Sequence, residues 1–595
     1  MFRLCRCAGQ IGLFIFNNPF PHVSIGVMTS IAPDLSLSIQ PPVTAITVVL
    51  ETTGPDPLKD AIRSVAWCTP QQSPRCIELN TDADRDTLRD LLSGQHLILY
   101  DAAKCCAFLK QVGITPASFD DPKLMLNALD PTASLDLLSL SKEHLGLDIA
   151  AEPLESGILF IQSGDLRLNP PESLSLLATA IMRLHEHFRN KLDWAADIYQ
   201  RELKIAPICA EMQLKGIAVS LSAIKDKISS LKLRISSIET RISNLVPALT
   251  SEQGTNWMSS RDITEVLTAL GCPLRYHTQK GNISVRGDVL ERLRDVHPII
   301  PLLLELRHLV KLAGMSRTLA KFYKADTGAI HCEWLQTGVP TSRFRAKNPN
   351  LQQIPEELRS CFLARPGHYF LNLDYDQLEY RILAACAGEE DLIASFRRGE
   401  DIHRKTASLL LGIPLDEISD DQRAIGKVLG YSQLYGSGAS GLAYKLNIPK
   451  RQAQKLLKDY FARVPKLTAF LTHLQDLALS HGYIENYFGR RRPLPEIYSR
   501  HPKIHAFGQR SAVNGFAQST AADITKDAMI RLANVLPQYN AAMLVQLHDG
   551  LLLEIPDSVP PSEIVPIVKS AMESEVSGLP MTVSASWGKD WEHLH

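Results

Sequence analysis

The segment Ala541–Ile555 constrains the fold of this chain more than any other. Its two apolar runs flank the pair Asp549-Gly550, and an Asp-Gly pair between apolar runs is one of the strongest short signals for a tight β-hairpin. Asp549 is therefore predicted at or near the tip of a buried pair of strands. The acid does not yet imply chemistry, because aspartate also suits a turn that needs positive φ, and His548 equally fits a packed core position.

A second acid-bearing segment changes its apolar period from that of a strand to that of a helix. Apolar residues alternate over Tyr369–Leu373 and follow helical spacing from Leu378 onward, so Asp374 is predicted at the carboxyl end of a strand. Asp376 and Glu379 lie three residues apart and match a capping box, which accounts for both acids without chemistry. Asp374 stays open between a structural role and a metal site.

One predicted helix carries a cationic face with two glycines beside it. Arg423, Lys427 and Tyr431 repeat every four residues, and Gly426 and Gly430 lie next to them. Each glycine inside a helix costs about 1 kcal/mol relative to alanine, which indicates that something approaches this backbone closely. The face suits a triphosphate with a base or sugar stacked above it. A solvated Arg/Lys face would explain the charges but not the glycines.

A basic stretch follows in residues 485–515, where six Arg or Lys residues stand against Glu485 and Glu496, a local net charge of +4. Such a stretch fits contacts with nucleic-acid phosphates. The amide side chains of Asn514 and Gln518 can pair with base edges. Because a charge run is usually only a solvated face, this segment counts only together with the others.

In this order and spacing, the segments resemble the polymerase motifs of the family A DNA polymerases, the class of bacterial DNA polymerase I. The three main matches are Asp374-Tyr-Asp-Gln-Leu-Glu-Tyr-Arg, Arg423-x3-Lys427-x3-Tyr431-x3-Tyr435-Gly436 and Gln546-Leu-His-Asp549. Further matches are Thr341-Ser-Arg343, Asn348-Pro-Asn-Leu-Gln352-Gln-Ile-Pro355, Asp401-Ile-His403 and Asn514-x3-Gln518-x-Thr-Ala-Ala-Asp523. The resemblance covers about residues 199–595 strongly and residues 43–190 weakly.

The resemblance implies an α+β multidomain fold, in which an α/β ribonuclease-H-like exonuclease domain precedes a right-hand polymerase of palm, fingers and thumb. We expect a disordered leader at 1–40, a 3′-5′ exonuclease-like domain at 41–192 and the polymerase domain at 193–595. The thumb is expected at about 199–325, where apolar residues spaced by three and four over Ile224–Leu245 predict a long helix, and the palm and fingers at about 326–595. No upstream 5′-nuclease domain is expected.

The implied activity is template-directed addition of deoxynucleoside triphosphates to a primer 3′ end, by two-metal phosphoryl transfer, in DNA replication or repair. The implied metal is Mg²⁺, as two ions, with Mn²⁺ as a possible substitute; its implied ligands are Asp374, Asp549 and the backbone carbonyl of Tyr375. Lys427 is counted with both aspartates as catalytic. The residues expected around the incoming nucleotide are Arg423, Lys427 and His403 at its phosphates, Tyr431 stacked on it, and Gln377, Glu379 and Tyr435, with Glu379 excluding a ribose 2′-hydroxyl. The residues expected to contact primer and template are Arg343, Arg510, Asn514, Gln518, Gln546 and His548.

The sequence departs from the family pattern at several positions. Gly550 follows Asp549 where the third motif commonly has glutamate, so a secondary carboxylate is missing and slower synthesis is expected. Ser519 replaces a usual glycine, and Phe516 a usual proline. Tyr431 stands where many members have phenylalanine, which by analogy predicts weak discrimination against nucleotides that lack a 3′-hydroxyl.

The exonuclease-like domain retains only part of the acidic set that its family uses for paired metals. Glu51 and Asp101 remain, whereas Val49 stands at the first expected aspartate. On the last helix of this domain, Leu177 falls at an expected aspartate and Ser173 at an expected tyrosine. We therefore predict a folded domain without proofreading activity.

The composition of the chain bears on its possible partners, its cysteine chemistry and its location in the cell. The chain has 63 basic and 64 acidic residues, so no global positive charge indicates a polyanionic partner, and its eleven cysteines form no CxxC pair. No apolar run approaches the roughly 18 residues of a membrane span. We expect a monomer with no membrane contact, in the cytoplasm of a bacterium or a phage-infected cell; residues 1–33 only faintly resemble an organelle transit peptide. The competing hypotheses are a DNA-binding scaffold with an inactive palm and a single-subunit RNA polymerase.

Overall fold

The structure, a computed structural model, describes residues 45–594 apart from 148, 154–158, 164–165, 168–169, 248–254, 278–280 and 435–437. The expected leader at 1–40 and Tyr435 lie outside the described residues, as does the side chain of Tyr431. Among the helices of the described part, none is long and apolar enough to cross a membrane.

A mixed five-stranded sheet organises the first region. Its order is β3-β2-β1-β4-β5, with β1 antiparallel to β2 and parallel to β4. The strands are β1 Ala45–Thr52, β2 Ile62–Thr69, β3 Gln72–Glu78, β4 His96–Ile98 and β5 Ser118–Asp120. The helices are α1 Asp82–Leu92, α2 Ala102–Gln111, α3 Pro122–Leu129, α4 Leu137–Leu145 and α5 Pro170–Arg189, and a small separate sheet contains β6 Ile149–Pro153, β7 Leu159–Ser163 and β8 Leu166–Arg167. Val48 and Leu97 are fully buried because helices cover the central strands. Glu51 lies within β1.

A helical region follows and begins with a helix that joins two cores. Tyr199 of this first helix packs into the core beneath the five-stranded sheet, whereas Ile205 packs into the main core of the chain. The elements are α6 Ala196–Lys215, β9 Ile217–Ala218, α7 Leu221–Leu245, α8 Ser260–Ala269, α9 Gly287–Glu291, α10 Ile299–Phe322, β10 Tyr323–Lys324, β11 Ala329–Ile330, β12 Glu333–Leu335 and β13 Arg345–Lys347. The domain division predicted at residues 192 and 193 stays a prediction.

The predicted long helix is α7, which packs along α10. Ile224, Leu231 and Ile238 are buried in this seam, as their spacing predicts, because residues three and four apart share a helix face. Leu245, also assigned to the apolar series, is 43% exposed and ends the helix outside the seam.

The last region is built on a four-stranded antiparallel sheet of order β17-β18-β14-β21. Its elements up to the last long helix are β14 His368–Tyr375, α11 Leu378–Ala387, α12 Glu390–Arg397, α13 Ile402–Leu411, α14 Asp420–Leu434, α15 Ala439–Leu446, α16 Lys450–Phe461, α17 Pro465–His481, β15 Tyr483–Glu485, β16 Arg491–Pro493 and α18 Pro502–Val535. The remaining elements are β17 Ala542–Leu547, β18 Gly550–Pro556, α19 Pro561–Met572, β19 Ser574–Val576, β20 Leu579–Met581 and β21 Val583–Gly588. Leu371 and Leu553 pair across the two central strands and are fully buried, which anchors the sheet against the helices behind it.

Candidate active site

The two central strands of this sheet bring Asp374 and Asp549 together. Asp374 is the penultimate residue of β14 and lies opposite Gly550 in the register with β18. The backbone N–H of Tyr375 donates to the carbonyl oxygen of Asp549 at 3.3 Å. Both aspartates therefore stand at one end of the sheet, as the two sequence segments predict.

The turn that carries Asp549 does not explain why an acid is there. Strand β17 ends at Leu547 and β18 begins at Gly550, so His548 and Asp549 form the turn, as expected for a tight hairpin. The left-handed backbone conformation falls on His548, at φ 51°, and not on Asp549. The interpretation of Asp549 as a residue chosen for positive φ is therefore wrong.

The carboxylate of Asp374 lies where negative charge is not balanced locally. Burial, and after it the neighbouring carboxylates of Asp549 and Asp376, raise the pKa of Asp374 to about 6. The residue nevertheless keeps an exposed surface, so its burial is partial and solvent screens part of this repulsion. A bound cation would reverse the effect, because it stabilises both ionised carboxylates.

Arg343 connects the pair to the helix that follows β14. Its guanidinium donates to Oε1 of Glu379 and, at 3.3 Å, to Oδ1 of Asp549. Burial raises the pKa of Glu379, and the charge of Asp549 adds to this, while Arg343 opposes it. Arg343 was assigned to primer and template contacts; the structure brings it among the acids, a pairing for which the sequence holds no local signal.

The capping-box interpretation of Asp376 and Glu379 is wrong. Helix α11 begins at Leu378, and its N-cap is Gln377, in the left-handed conformation and without a side-chain cap. The carboxylate of Asp376 instead accepts from the hydroxyl of Thr582 at 2.8 Å. Since neither acid caps the helix, Glu379 remains available as a side chain that faces the site through its pairing with Arg343.

Gly550 lies in close contact with the first aspartate. A Cβ at this position would stand 2.7 Å from the carbonyl oxygen of Leu373 and 2.8 Å from Oδ1 of Asp374. Real Cβ atoms essentially never approach oxygen so closely, so any side chain here would displace the carboxylate or the strand. The departure from the family pattern at Gly550 therefore matches the position that Asp374 takes.

The glycines of the cationic helix were interpreted as space for a ligand, and the structure corrects this at Gly426. A Cβ there would overlap the carbonyl oxygen of His403 and lie 2.9 Å from the backbone nitrogen of Ala407. What approaches Gly426 is thus the backbone of helix α13. A Cβ at Gly430 would make only ordinary contacts, 3.8 Å from Cε1 of Tyr380 and 4.0 Å from Nδ1 of His403.

The predicted phosphate ligands lie on these two packed helices. Nε of Arg423 donates to Oδ2 of Asp401 at 2.5 Å, and Asp401 also caps α13 through the backbone N–H groups of His403 and Arg404. Burial lowers the pKa of His403; Asp401 opposes this, and the cations Arg423 and Lys427 add to it. Lys427 is exposed. Asp401 is not among the predicted site residues, although it stands in a matched motif and pairs with Arg423.

Three of the residues predicted to contact DNA lie along one helix. Arg510, Asn514 and Gln518 follow steps of four on α18 and are half-buried. Gln546 donates to the carbonyl oxygen of His548 and accepts from the amide of Gln352 at 2.7 Å. The hairpin turn is therefore held from within, by side chains of the predicted motifs.

The basic stretch at 485–515 is not one continuous patch. The side chain of Arg490 is only 1% exposed and pairs with Glu202 at 2.7 Å and with Asp523 at 2.6 Å. Lys526 joins the same buried group through Glu202 at 2.6 Å, and Arg491 pairs with Glu485 at the surface. The interpretation of the whole stretch as phosphate-binding is wrong for Arg490, whose acidic partners lie 288 and 33 positions away.

The two residual acids of the first sheet have protein partners. Asp101, in the left-handed conformation at φ 67°, pairs through Oδ2 with the ammonium of Lys123 at 2.8 Å. The carboxylate of Glu51 accepts from the hydroxyl of Ser64. Leu177 packs beside Ala180 in a small apolar cluster. Across the described part of the chain, no group of three or more His, Cys, Asp or Glu side chains is arranged to hold a metal ion.

An antiparallel sheet with two aspartates at one end, together with the packed helices α13 and α14 that carry His403, Arg423 and Lys427, fits a right-hand polymerase. The model of the family described as DNA polymerase family A matches residues 222–593. The chain therefore belongs to the family A DNA polymerases, and the predicted α+β multidomain fold is confirmed.

Individual relatives agree with this assignment. The thermostable DNA polymerase I of Thermus aquaticus is 35% identical over 345 residues, 56% of this chain and 41% of that protein. The DNA polymerase I of Chloroflexus aurantiacus is 29% identical over 593 residues, 96% of this chain and 59% of that protein. The chain thus spans about half the length of the curated relatives it matches.

A solved structure is similar along most of the chain. The POL domain of Pol1 from M. smegmatis, in complex with DNA primer-template and dNTP, superposes with a TM-score of 0.83 and 26% sequence identity. The similarity covers 92% of this chain and 95% of that chain.

Proposed function

We propose that this protein is a template-directed DNA polymerase that adds deoxynucleoside triphosphates to a primer 3′ end, in DNA replication or repair. One observation carries the proposal. Asp374 and Asp549 meet at the end of adjacent strands, and the repulsion between their carboxylates contributes to a pKa of about 6 at Asp374. Two converging carboxylates, of which Asp549 has a cationic contact at Arg343 and Asp374 keeps a raised pKa, suit the binding of divalent cations.

The donor set fits Mg²⁺, because hard carboxylate and carbonyl oxygens are its preferred protein ligands. Asp374, Asp549 and the carbonyl of Tyr375 would hold two ions, with Mn²⁺ as a substitute. When bound, the ions supply activation of the primer 3′-hydroxyl and charge stabilisation at the triphosphate. The residues of the chain orient that chemistry: Arg343 must release Asp549 while it keeps Glu379 in place, since it now contacts both.

The incoming nucleotide is proposed to lie between the sheet and α14. Arg423, Lys427 and His403 bind its phosphates; the packing of α13 on α14 supports this, because it brings these side chains to one pair of helices. Tyr431 stacks on the nucleotide, while Gln377, Glu379 and Tyr435 surround its sugar. The pairing of Glu379 with Arg343 holds the glutamate carboxylate in one direction, as a steric barrier to a 2′-hydroxyl requires.

Primer-template DNA is the proposed partner, and the protein acts as a monomer without membrane contact. The similar Pol1 domain is described in complex with DNA primer-template and dNTP. The residues proposed to contact the DNA are Arg343, Arg510, Asn514, Gln518, Gln546 and His548. The bacterial origin of the relatives favours a bacterial or phage-infected cytoplasm.

We also propose that the 41–192 domain does not proofread. Asp101 is neutralised by Lys123, and Leu177 offers no oxygen at its position. Incubation of the protein with a mismatched primer end in Mg²⁺, without nucleotides, should leave the primer intact. Degradation that persists in repeatedly purified protein would contradict this.

Primer extension tests the main proposal. The wild-type protein should extend a primer with deoxynucleotides, and Asp549→Ala should not, whereas Asp557→Ala, an exposed acid paired with Lys589, should extend normally. Glu379→Ala should admit ribonucleotides. Binding of primer-template without any extension by the wild type would instead favour a DNA-binding scaffold, the alternative suggested by Gly550 and by the incomplete exonuclease acids. Extension with ribonucleotides by the wild type would favour an RNA polymerase.

A further inference from the structure

The turn before α18 and the first turns of that helix form a surface that is both apolar and basic. Tyr498 is 57% exposed, Ile504 45% and Phe507 48%. Arg500 and Lys503 lie between them, and no acidic residue occurs from 498 to 510. We call these five residues the α18 platform. Its charge is wholly positive in a chain whose total charge is close to zero.

The platform continues the row of predicted DNA contacts along the same helix. Lys503, Phe507, Arg510, Asn514 and Gln518 are separated by four, three, four and four residues, which places all five on one face of α18. At 1.5 Å of rise per residue, the row extends over about 22 Å. A strand that contacts Gln518 and Arg510 can therefore reach Phe507 without leaving this face.

The platform is held in place by tight packing beneath it. A Cβ at Gly508 would lie 2.7 Å from the backbone nitrogen of Ile497, so the helix touches the 3₁₀ turn Pro495–Tyr498 directly. Nδ1 of His505 lies 2.7 Å from the carbonyl oxygen of Ile497. The exposed side chains thus project from a preformed backbone, which lowers the entropy lost when a ligand binds.

We propose that the α18 platform binds the unpaired template strand ahead of the primer end, with bases stacked on Phe507 and Tyr498 and phosphates at Arg500 and Lys503. This inference rests on the proposed polymerase function. Aromatic side chains beside cations are what single strands require, because each unpaired base offers a face for stacking and each phosphate a charge. In a duplex those faces are covered by neighbouring base pairs, so a duplex would use the cations but not the exposed rings.

Equilibrium binding with the full-length protein, in EDTA and without nucleotides, tests this directly. Two fluorescent DNA hairpins share one duplex; one ends blunt, and the other carries a ten-nucleotide 5′ overhang as template. The wild type should bind the overhang hairpin more tightly. Replacing both rings, Tyr498→Ala with Phe507→Ala, should weaken that binding about tenfold and leave blunt-end affinity unchanged. The single variant Phe507→Trp should keep most of the wild-type preference for the overhang hairpin, because tryptophan also stacks.

A second readout identifies the base and the charge involved. With 2-aminopurine at successive overhang positions, Phe507→Ala should relieve fluorescence quenching at one or two positions only. Lys503→Ala should reduce the slope of log affinity against log salt for the overhang hairpin by about 0.7. Trp587→Ala, an exposed aromatic on strand β21, serves as the matched control and should change neither measurement.

The outcomes separate this inference from the proposed function. Equal losses of affinity for blunt and overhang hairpins would assign the platform to duplex binding and overturn the inference, as would unchanged affinities in the double variant. Concentration-dependent self-association that the double variant abolishes would assign the surface to a second copy and overturn it too. Primer extension is measured separately, so a wild type that extends primers without any overhang preference refutes the platform alone.

Discussion

Acids that the sequence predicts as metal ligands occur in two regions of this molecule, and their surroundings differ. In the last region, Asp374 and Asp549 face each other, and the pKa of Asp374 is raised. In the first region, Asp101 is fixed to Lys123 by an ion pair, and Glu51 by a hydrogen bond from Ser64. Asp549 does contact Arg343, at 3.3 Å, but Asp374 has no cation among the causes of its raised pKa, whereas Asp101 is paired with a lysine of its own.

The ion pair at Asp101 is a permanent feature of the first region. Burial alone would lower the pKa of Lys123, but the charge and hydrogen bond of Asp101, together with the charge of Asp121, outweigh it and raise that pKa. Lys123 therefore stays protonated over the whole physiological range. In the other pair Arg343 contacts Asp549, and the same nitrogen, Nη2, also donates to Glu379.

The same substitution in the two regions gives the largest expected contrast. Asp374→Asn should lower the rate of primer extension by about a thousandfold or more, because loss of a metal ligand costs several kcal/mol in the transition state. Asp101→Asn should leave that rate unchanged. Steady-state extension assays on both variants check this, and equal losses would show that the two acids do not differ in role.

A substitution at Gly550 tests how closely the position of Asp374 depends on this glycine. Gly550→Glu restores the carboxylate common in the family, yet its Cβ would meet Oδ1 of Asp374. We expect extension to fall about a hundredfold, since displacement of a reacting group by about 1 Å has that effect. Gly314→Ala, at a helical glycine with open space around it, is the control and should be neutral. Faster extension by Gly550→Glu would refute the steric explanation.

Removal of Lys123 tests whether its ion pair with Asp101 is the sole reason that the first region lacks exonuclease activity. Lys123→Met leaves a half-buried Asp101 without its cation and should lower the free energy of unfolding by about 2 kcal/mol. It should not create exonuclease activity, because Leu177 and Val49 still supply no ligands. Chemical denaturation and a mismatched-primer assay measure the two effects. Metal-dependent degradation by this variant would show that Lys123 alone silences the site.

The raised pKa of Asp374 predicts two pH dependences of opposite sign. Cations bind the ionised carboxylate, so extension at limiting Mg²⁺ should fall about tenfold per pH unit below pH 6. In the metal-free protein the folded state favours the protonated acid, so this group stabilises the fold below about pH 4 and loses that contribution as pH rises through 6. Asp374→Asn should abolish the second effect in melting experiments in EDTA; a variant that retains it would assign the titration to another group.

Sequence patterns predicted the parts of the site that depend on neighbouring residues. The change of period at Asp374 and the hairpin at Asp549 were both predictable, because strand, turn and helix each leave a repeat within about ten residues. The glycines of α14 indicated a close approach, but a repeat carries no information on what approaches. Only the structure identifies it as the backbone of α13 at Gly426.

The partners of charged side chains were harder to predict, because a charge is neutralised by residues that lie close in space rather than in sequence. Arg490 belongs to a basic run in the sequence, yet its side chain is buried and pairs with Glu202, 288 positions earlier. Arg343 likewise gave no local sign that it would lie between Glu379 and Asp549. Family resemblance supplied residue roles, but it could not supply these pairings.

The backbone contact at Gly426 has a mechanical consequence. No side chain separates the carbonyl of His403 from Gly426, so α13 and α14 are in direct backbone contact and cannot shift past each other without a clash. Arg423 and Asp401 tie the same two helices a turn away. A displacement of α14 would therefore carry α13 with it, so that His403, Arg423 and Lys427, the residues proposed to bind the triphosphate, would move as one unit.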